Sequence, residues 1–594
     1  MIPTALRRAT LVAIALVGLA LLAGFLARPL AAARVRAAAR ARGLAATWSR
    51  LELGWPARAR IENLTLRSAR GDTVLSARDV RAALRVGPLL FGRAQLASIA
   101  IERARIELPR ESSVAADTLA PAEDAGPGPI APRVRQRADA LVRALLAPAR
   151  TLPELHLRDV AVSRGGDERV TLSALDLEHE RDAERLLAAG TLAGEPVTPF
   201  DVLLRWQHDD RLTGRAELDV PDAEPPSPTS LVVVLDGRVA QDRRAREVRI
   251  APGTQVRIGS LTASLSGAVR AKGPRFTLRV DAPRLTAADF RQSLPAAVLG
   301  PLAGLELAGS FDWHGEVDLD LARPDSVRFR AEVVPHGLAL DPAQSRPSLE
   351  ALAGPFTADI HLPHDRIVQR TLSDENPHYR PLDRIAPALQ NAVVTNEDGG
   401  FWRHRGFNPE AISLALAADL RAGAYKRGAG TITMQLARNL WLGHRRTLSR
   451  KAQEVALAWL LEHESGLGKE RLLEIYLNII EWGPEVHGAD EAAHYYFAED
   501  ASQLTLPEAL FLTIVIPSPA KWRWRLAPDG TLRPFARAQM HFIASKMAVR
   551  GWLDPAQVPP ADSLRITLRG PARALLALPD TSAAPADSTV EEPI

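Results

Sequence analysis

Residues 450–479 read RKAQEVALAWLLEHESGLGKERLLEIYLNI, and their apolar positions recur every three or four residues. That spacing lays one apolar stripe along each of two helices, Arg450–Glu464 and Lys469–Ile479. The same period holds outward over Ile385–Val394, Pro409–Ala422, Thr431–Leu442 and Leu506–Ile516. Asn408-Pro409-Glu410 supplies a capped helix start with proline at the first helical position. A mainly α-helical domain over residues 351–555 is therefore expected. Four polar blocks run through it in order: Glu397-Asp398-x-x-Phe401-x-x-His404-x-Gly406, Gly428-x-x-Thr431-Ile432-Thr433-x-Gln435, Arg450-Lys451-x-x-Glu454, and Lys469 to Asn478.

Upstream, over residues 41–350, the period changes to two. Ile61–Arg67, Ile99–Glu102, Leu155–Val160, Leu172–Leu177, Leu212–Val220, Leu261–Val269, Phe276–Val280 and Val327–Val334 alternate apolar and polar residues, as half-buried antiparallel strands do. Residues 111–134 and 221–229 are rich in Pro, Ala and acids and read as loops. Residues 556–594 read as a disordered tail on the same compositional ground.

At 594 residues the chain exceeds one ordinary domain, and 46% hydrophobic residues support packed cores. Its 74 Lys+Arg nearly cancel 70 Asp+Glu, and no interleaved basic and aromatic face appears, so no nucleic-acid partner is expected. The absence of cysteine excludes disulfides and thiolate metal sites. Arg7 and Arg8 precede the uncharged stretch Ala9–Ala27. As a helix it spans about 28 Å, near the hydrocarbon thickness of a bilayer. A retained anchor is the expectation, within a unit of residues 1–40. A signal peptide cleaved near Ala31-Ala32-Ala33 is the other reading.

The ordered blocks resemble the peptidoglycan glycosyltransferases of family 51, most closely the monofunctional transglycosylases, over residues 365–550. The first block fits the pattern E-D-x-x-F-x-x-H-x-G, the third R-K-x-x-E, and the fourth K-x-x-[IL]-L-E-x-Y-L-N. Glu481-Trp482-Gly483 and Tyr496-Phe497 agree. The resemblance implies a lysozyme-like helical fold and inverting transfer between lipid-linked saccharides. Lipid II and the growing glycan strand are the substrates, and undecaprenyl pyrophosphate is released. An alcohol nucleophile needs a positioned base, and Glu397 matches the family's base. A departing pyrophosphate needs positive charge, for which Arg438, Arg446 and Lys451 are candidates and to which a divalent cation, Mg or Mn, could add. Glu454 shares a helix face with Arg450 and Lys451, which by itself describes a surface ion pair. The resemblance makes it the second catalytic carboxylate. Asp398, His404, Thr431, Thr433, Gln435 and Arg450 complete the expected substrate-binding set. Phe401 reads as core, His404 as a brace for the base loop, and Glu474, Tyr476 and Asn478 as structural.

The second block departs from the usual G-[GA]-S-T-[IL]-[TS]-Q-Q, because Gly430 lacks a hydroxyl and Met434 replaces an amide. Both changes are expected to remove polar contacts from the substrate cleft. Ser518-Pro519-Ala520-Lys521 fits S-x-x-K, but no K-T-G follows, and no transpeptidase is expected. Residues 30–110 and 294–321 resemble the AsmA-like envelope proteins, whose strands build an apolar groove associated with lipids. The expectation is a single-pass protein of the bacterial inner membrane with its catalytic domain in the periplasm. Its partners would be the membrane and other cell-wall synthesis proteins. A non-catalytic envelope scaffold or lipid-transport protein retaining the fold is the alternative.

Overall fold

A computed structural model describes the chain from residue 28 to 576, apart from 87–94, 109–130, 143–152, 221–228, 363–365, 424–427, 444–446 and positions 56, 133, 137, 140–141, 166, 195–196 and 272. The expected anchor at Ala9–Ala27, most of both Pro-rich loops and the end of the tail lie outside these residues. No helix among the described residues is long and apolar enough to cross a membrane.

The described residues fall into two units: Met1–Val114 with Ala140–Ala271 and Gln292–Pro295, and Ala115–Asp139 with Lys272–Arg291 and Ala296–Ile594. The first is a sheet. Its strands are β1 (Leu44–Thr47), β2 (Arg50–Gly54), β3 (Arg58–Ser68), β4 (Thr73–Leu84), β5 (Leu96–Leu108), β6 (Glu154–Arg164) and β7 (Asp167–His179). There follow β8 (Ala183–Leu192), β9 (Thr198–Gln207), β10 (Arg211–Asp219), β11 (Ser230–Asp242), β12 (Glu247–Ile258) and β13 (Leu261–Arg270). Both β1 and β2 pair with β3, and from there each strand pairs with the next. Pairing is antiparallel except between β5 and β6, which run parallel with Ser98 beside Glu154 and Leu108 beside Arg164. Alternation sorts the two faces. Ala77, Ala104 and Val160 are buried with Val80, Ile101, Leu157 and Leu172 packed on them. Residues between them carry charge, such as Asp79 held by Arg60 at 2.9 Å and by Arg81 at 3.2 Å.

The second unit opens with the antiparallel strands β14 (Arg275–Leu285), β15 (Leu307–Asp320) and β16 (Arg328–Leu340). This second compact unit thus takes in strands from Lys272 onward as well as the helical stretch expected from 351. Composition cannot place that boundary, because these strands alternate like the earlier ones and differ only in what they pack against. Between β14 and β15 comes the short helix α1 (Ala296–Leu299) with a 3₁₀ turn, Gly300–Gly304. A hairpin of β17 (Phe356–Leu362) and β18 (Arg366–Leu372) precedes the helices and was not expected in a helical domain.

The helices are α2 (Pro387–Glu397), α3 (Pro409–Ala422), α4 (Ile432–Trp441), α5 (Leu448–His463), α6 (Lys469–Ile479), α7 (Ala489–Phe497), α8 (Leu506–Val515) and α9 (Pro534–Val549). Asn408 caps α3, accepting from Ala411 N at 3.0 Å, as its sequence indicates. One continuous core runs through α2 and α4–α9, with Tyr476, Trp482, Tyr496, Phe497 and Phe511 fully buried. The tail expected from residue 556 is structured up to Leu576. Leu564, Leu568 and Ala572 are buried in this core, and Arg569 Nη2 donates to Glu508 Oε1 at 2.8 Å. A few apolar residues among the Pro and Asp anchor it.

Candidate active site

Burial of Leu389, Ala392, Val393 and Val394 fixes α2 in the core and delivers its last residue, Glu397, to the core's edge. The chain then leaves helical geometry at Asp398 (φ −154°, ψ 73°). Glu397 Oε1 accepts from Asn396 Nδ2 at 2.7 Å and Oε2 from Gln435 Nε2 at 3.1 Å. Gln435 Oε1 in turn accepts from the Tyr476 hydroxyl at 3.0 Å. Three helices therefore set one carboxylate. Burial pushes the Glu397 carboxyl above its ordinary range, while Gln435, Asn396 and the Arg438 charge oppose the rise. A carboxylate so desolvated is a stronger base than one in water.

The loop after Glu397 is tied down from several sides. His404 Nε2 lies 2.9 Å from both Asp398 oxygens, and Asp398 Oδ2 accepts from Ile432 N at 3.1 Å. Thr431, the N-cap of α4, donates to Gly406 O at 2.6 Å. Gly406 has φ +87°, and a Cβ there would stand 2.8–3.0 Å from the backbone of Trp459 and Ala458, so the motif's glycine lets the loop rest on α5. Phe401 is fully buried, with Lys469 Nζ 4.2 Å from its ring centroid. Lys469 also pairs with Glu462 at 2.7 Å, and Glu462 accepts from the Thr433 hydroxyl. Burial lowers the Lys469 pKa.

The cations come from α4 and α5. Thr431, Gln435 and Arg438 stand four and three residues apart, on one side of α4. Arg438 Nε is shielded from solvent and has no hydrogen-bond partner among the described residues. On α5, whose first turn is capped by Thr447, Glu454 is held by Arg450 and by Lys451 Nζ at 3.0 Å. Lys451 remains half exposed. A Cβ on Gly430 would lie 3.7 Å from Lys451 Nζ, so the second and third blocks meet there.

Glu397, Gln435 and Arg438 thus form one group and Glu454, Arg450 and Lys451 another, bridged by α4 and the loop before it. Asp398, Thr431 and Thr433 are buried and His404 nearly so; the Asp398 carboxylate, both threonine hydroxyls and His404 Nε2 bond to protein, whereas His404 Nδ1 has no partner among the described residues. Arg446 lies outside the described residues. Met434 is a correction: it is 2% exposed and sits in the core, so its change from an amide alters packing, not the cleft surface. Glu474 accepts from Tyr379 Oη at 2.8 Å and Leu382 N at 2.9 Å, and Asn478 bonds both backbone groups of Arg380.

The donor set does not fit a protein-held divalent ion. The oxygens of Glu397, Asp398 and Glu454 already accept from amide, imidazole, guanidinium or ammonium groups. Elsewhere among the described residues, His378, Asp490 and His494 converge, as do His156, Asp176 and Glu178. Arg380 at 3.0 Å from Asp490 and Arg158 at 2.9 Å from Asp176 already place a cation in each group.

Comparison with known proteins agrees with this geometry. The Transglycosylase family matches residues 364–548. The biosynthetic peptidoglycan transglycosylase of Alcanivorax borkumensis is 39% identical over 181 residues, 30% of this chain and 71% of that protein. That of Laribacter hongkongensis is 42% identical over 184 residues, 30% of this chain and 80% of the relative. That of Paraburkholderia xenovorans is 42% identical over 139 residues, 23% of this chain and 57% of the relative. The chain belongs to the biosynthetic peptidoglycan transglycosylase family. The family match leaves residues 1–363 uncovered, so the sheet unit and strands β14–β17 stand outside what this chain shares with the family, while β18 lies within it. Within the matched part, the sequence blocks did not single out Asn396, Glu462 or Lys469 as site residues. Glu462 could have been found: it stands two helical turns beyond Glu454, on the same face of α5.

Proposed function

We propose that the chain is a peptidoglycan glycosyltransferase that polymerises lipid II into glycan strands, inverting the anomeric carbon and releasing undecaprenyl pyrophosphate, without transpeptidation. The observation that carries this is the buried Glu397, aimed by Gln435 and Asn396 and bridged by α4 to the cation group on α5. In this reading Glu397 takes the proton of the acceptor's sugar 4-hydroxyl as its oxygen attacks the donor's anomeric carbon. Negative charge then grows on the departing pyrophosphate, where Arg438 and Lys451 lower its energy before it leaves. Glu454 holds Arg450 and Lys451 in place for that role.

The setting belongs to the same proposal: a bacterial inner-membrane protein anchored by residues 9–27, its catalytic unit in the periplasm, with other cell-wall synthesis proteins as partners. The sheet unit is read as AsmA-like, its apolar face supporting a lipid ligand. Full-length protein incubated with labelled lipid II tests the core of the proposal. Polymer formed by the wild type and lost at least about 100-fold in Glu397→Gln is expected, the span of a lost general base. No polymer across a range of detergents and of Mg or Mn concentrations leaves the scaffold reading instead.

A further inference from the structure

The first turns of α5 carry Arg450, Lys451 and Glu454, and between Lys451 and Glu454 stands Gln453, 7% exposed. Its amide Nε2 donates to Val298 O at 2.7 Å. Val298 belongs to α1, and both α1 and the following turn, Gly300–Gly304, pack on α5. Gly300 has φ +55°, and a Cβ there would stand 2.9–3.0 Å from the three terminal atoms of the Gln453 side chain. Glycine is thus required twice, by its backbone and by the amide lying against it. Leu299 and Leu305 anchor this corner, at 6% and 1% exposure. All of it lies upstream of residue 364, where the family match begins.

An α-helix points its side chains by its rotation about its own axis, and successive residues differ by a fixed angle. A buried amide locked to a fixed carbonyl next to Glu454 sets that rotation. Strand β16 and the turn before it hold α3 in a comparable way, with Phe329 N donating to Ser413 Oγ at 2.9 Å and Asp325 of the turn paired with Arg421, but α3 carries none of the four polar blocks. We propose that Gln453 is a positioning residue, through which the corner Ala296–Gly304 fixes the direction in which Glu454, Arg450 and Lys451 face the cleft. The upstream strands are then part of the enzyme's working geometry, and displacing the corner would lower turnover without touching a catalytic group.

This rests on the glycosyltransferase reading, so the assay begins with full-length wild type and labelled lipid II. Gln453→Leu keeps the bulk and loses the donor, and is expected to lower kcat about tenfold, roughly 1.4 kcal/mol, with KM within about twofold. Gly300→Ala attacks the same contact from the other side and should lower kcat similarly. The double variant should be no worse than the weaker single one, because both break one link. Ser413→Ala loosens β16 from α3 and should leave kcat within about twofold. Wild type that makes no polymer overturns the reading and this inference together. An active wild type with unchanged kcat in Gln453→Leu and Gly300→Ala overturns the inference alone. So does a kcat that falls in step with the melting midpoint across all three single variants.

Discussion

Glu247 in the sheet and Glu454 in the catalytic unit have nearly the same immediate chemistry. Glu247 accepts from Arg249 at 2.8 Å and Arg270 at 3.1 Å; Glu454 is held by Arg450 and by Lys451 at 3.0 Å. Both carboxylates are almost fully covered, with side chains 6% and 4% exposed. What differs is the surroundings. The arginines over Glu247 are 63% and 54% exposed; Arg249 shares β12 with it, and Arg270 ties the neighbouring β13 to it in open solvent. Around Glu454, Arg450 is 17% exposed and Lys451 lies against the loop that leads through α4 to Gln435, Arg438 and Glu397. A carboxylate with two cations is therefore no signature of catalysis; what sets the candidate site apart is Glu397, which takes its hydrogen bonds from amides and from no cation among the described residues and is raised in pKa.

The widest gap should come from removing each acid in turn. Glu454→Gln is expected to cut lipid II polymerisation by about 100-fold or more, as loss of a preorganised electrostatic group does. Glu247→Gln should leave turnover within about twofold and cost less than about 1 kcal/mol per arginine freed. Equal losses in the two variants would erase the distinction. Arg438→Gln comes next, with an expected fall of about 10- to 100-fold in kcat, because its shielded Nε, without a hydrogen-bond partner among the described residues, is placed for charge that appears only during reaction. A change confined to KM would assign it to ground-state binding instead.

The pH profile sharpens the same contrast. The Arg249 and Arg270 bonds hold Glu247 below the usual carboxylate range, whereas burial holds Glu397 above it. Glu397 must be ionised to accept a proton, so the acid limb of kcat/KM should lie above the ordinary Glu value of about 4.3. Gln435→Leu removes a donor that favours the ionised form, and should move that limb to still higher pH. A limb that stays put would take Gln435 out of the role of tuning the base. The smallest effect is expected at Gly430→Ser, which brings a hydroxyl toward Lys451. A change in turnover beyond about threefold would show that this departure from the family pattern tunes the enzyme.

The blocks that carry the candidate site residues were legible because their order and spacing are written in the sequence itself. Eight of the sixteen strands β1–β16, and the helices of the matched region, also declared themselves, since period two and period 3.6 are local properties. What stayed hidden depends on tertiary contact. The hairpin β17–β18 alternates, yet it sits where the period turns helical. Strands β14–β16 carry no mark of belonging with the helices until Ser413 is seen to hold β16 and Gln453 to hold α1, between β14 and β15. Met434 lay in a block with polar neighbours, and only its burial shows that it faces inward. Residues 556–576 have a loop's composition, but Leu564, Leu568 and Ala572 bury enough to order them.

The buried pair of Lys469 and Glu462 beneath Phe401 carries a consequence for how such a chain can drift over generations. Losing either partner alone strands a charge in the interior, at a cost of about 3–5 kcal/mol. Replacing both with apolar residues of similar volume is close to neutral for stability. The two positions, seven residues apart on successive helices, should therefore vary together or not at all, and Thr433, whose hydroxyl leans on Glu462, should be free to become Val only where they have already changed.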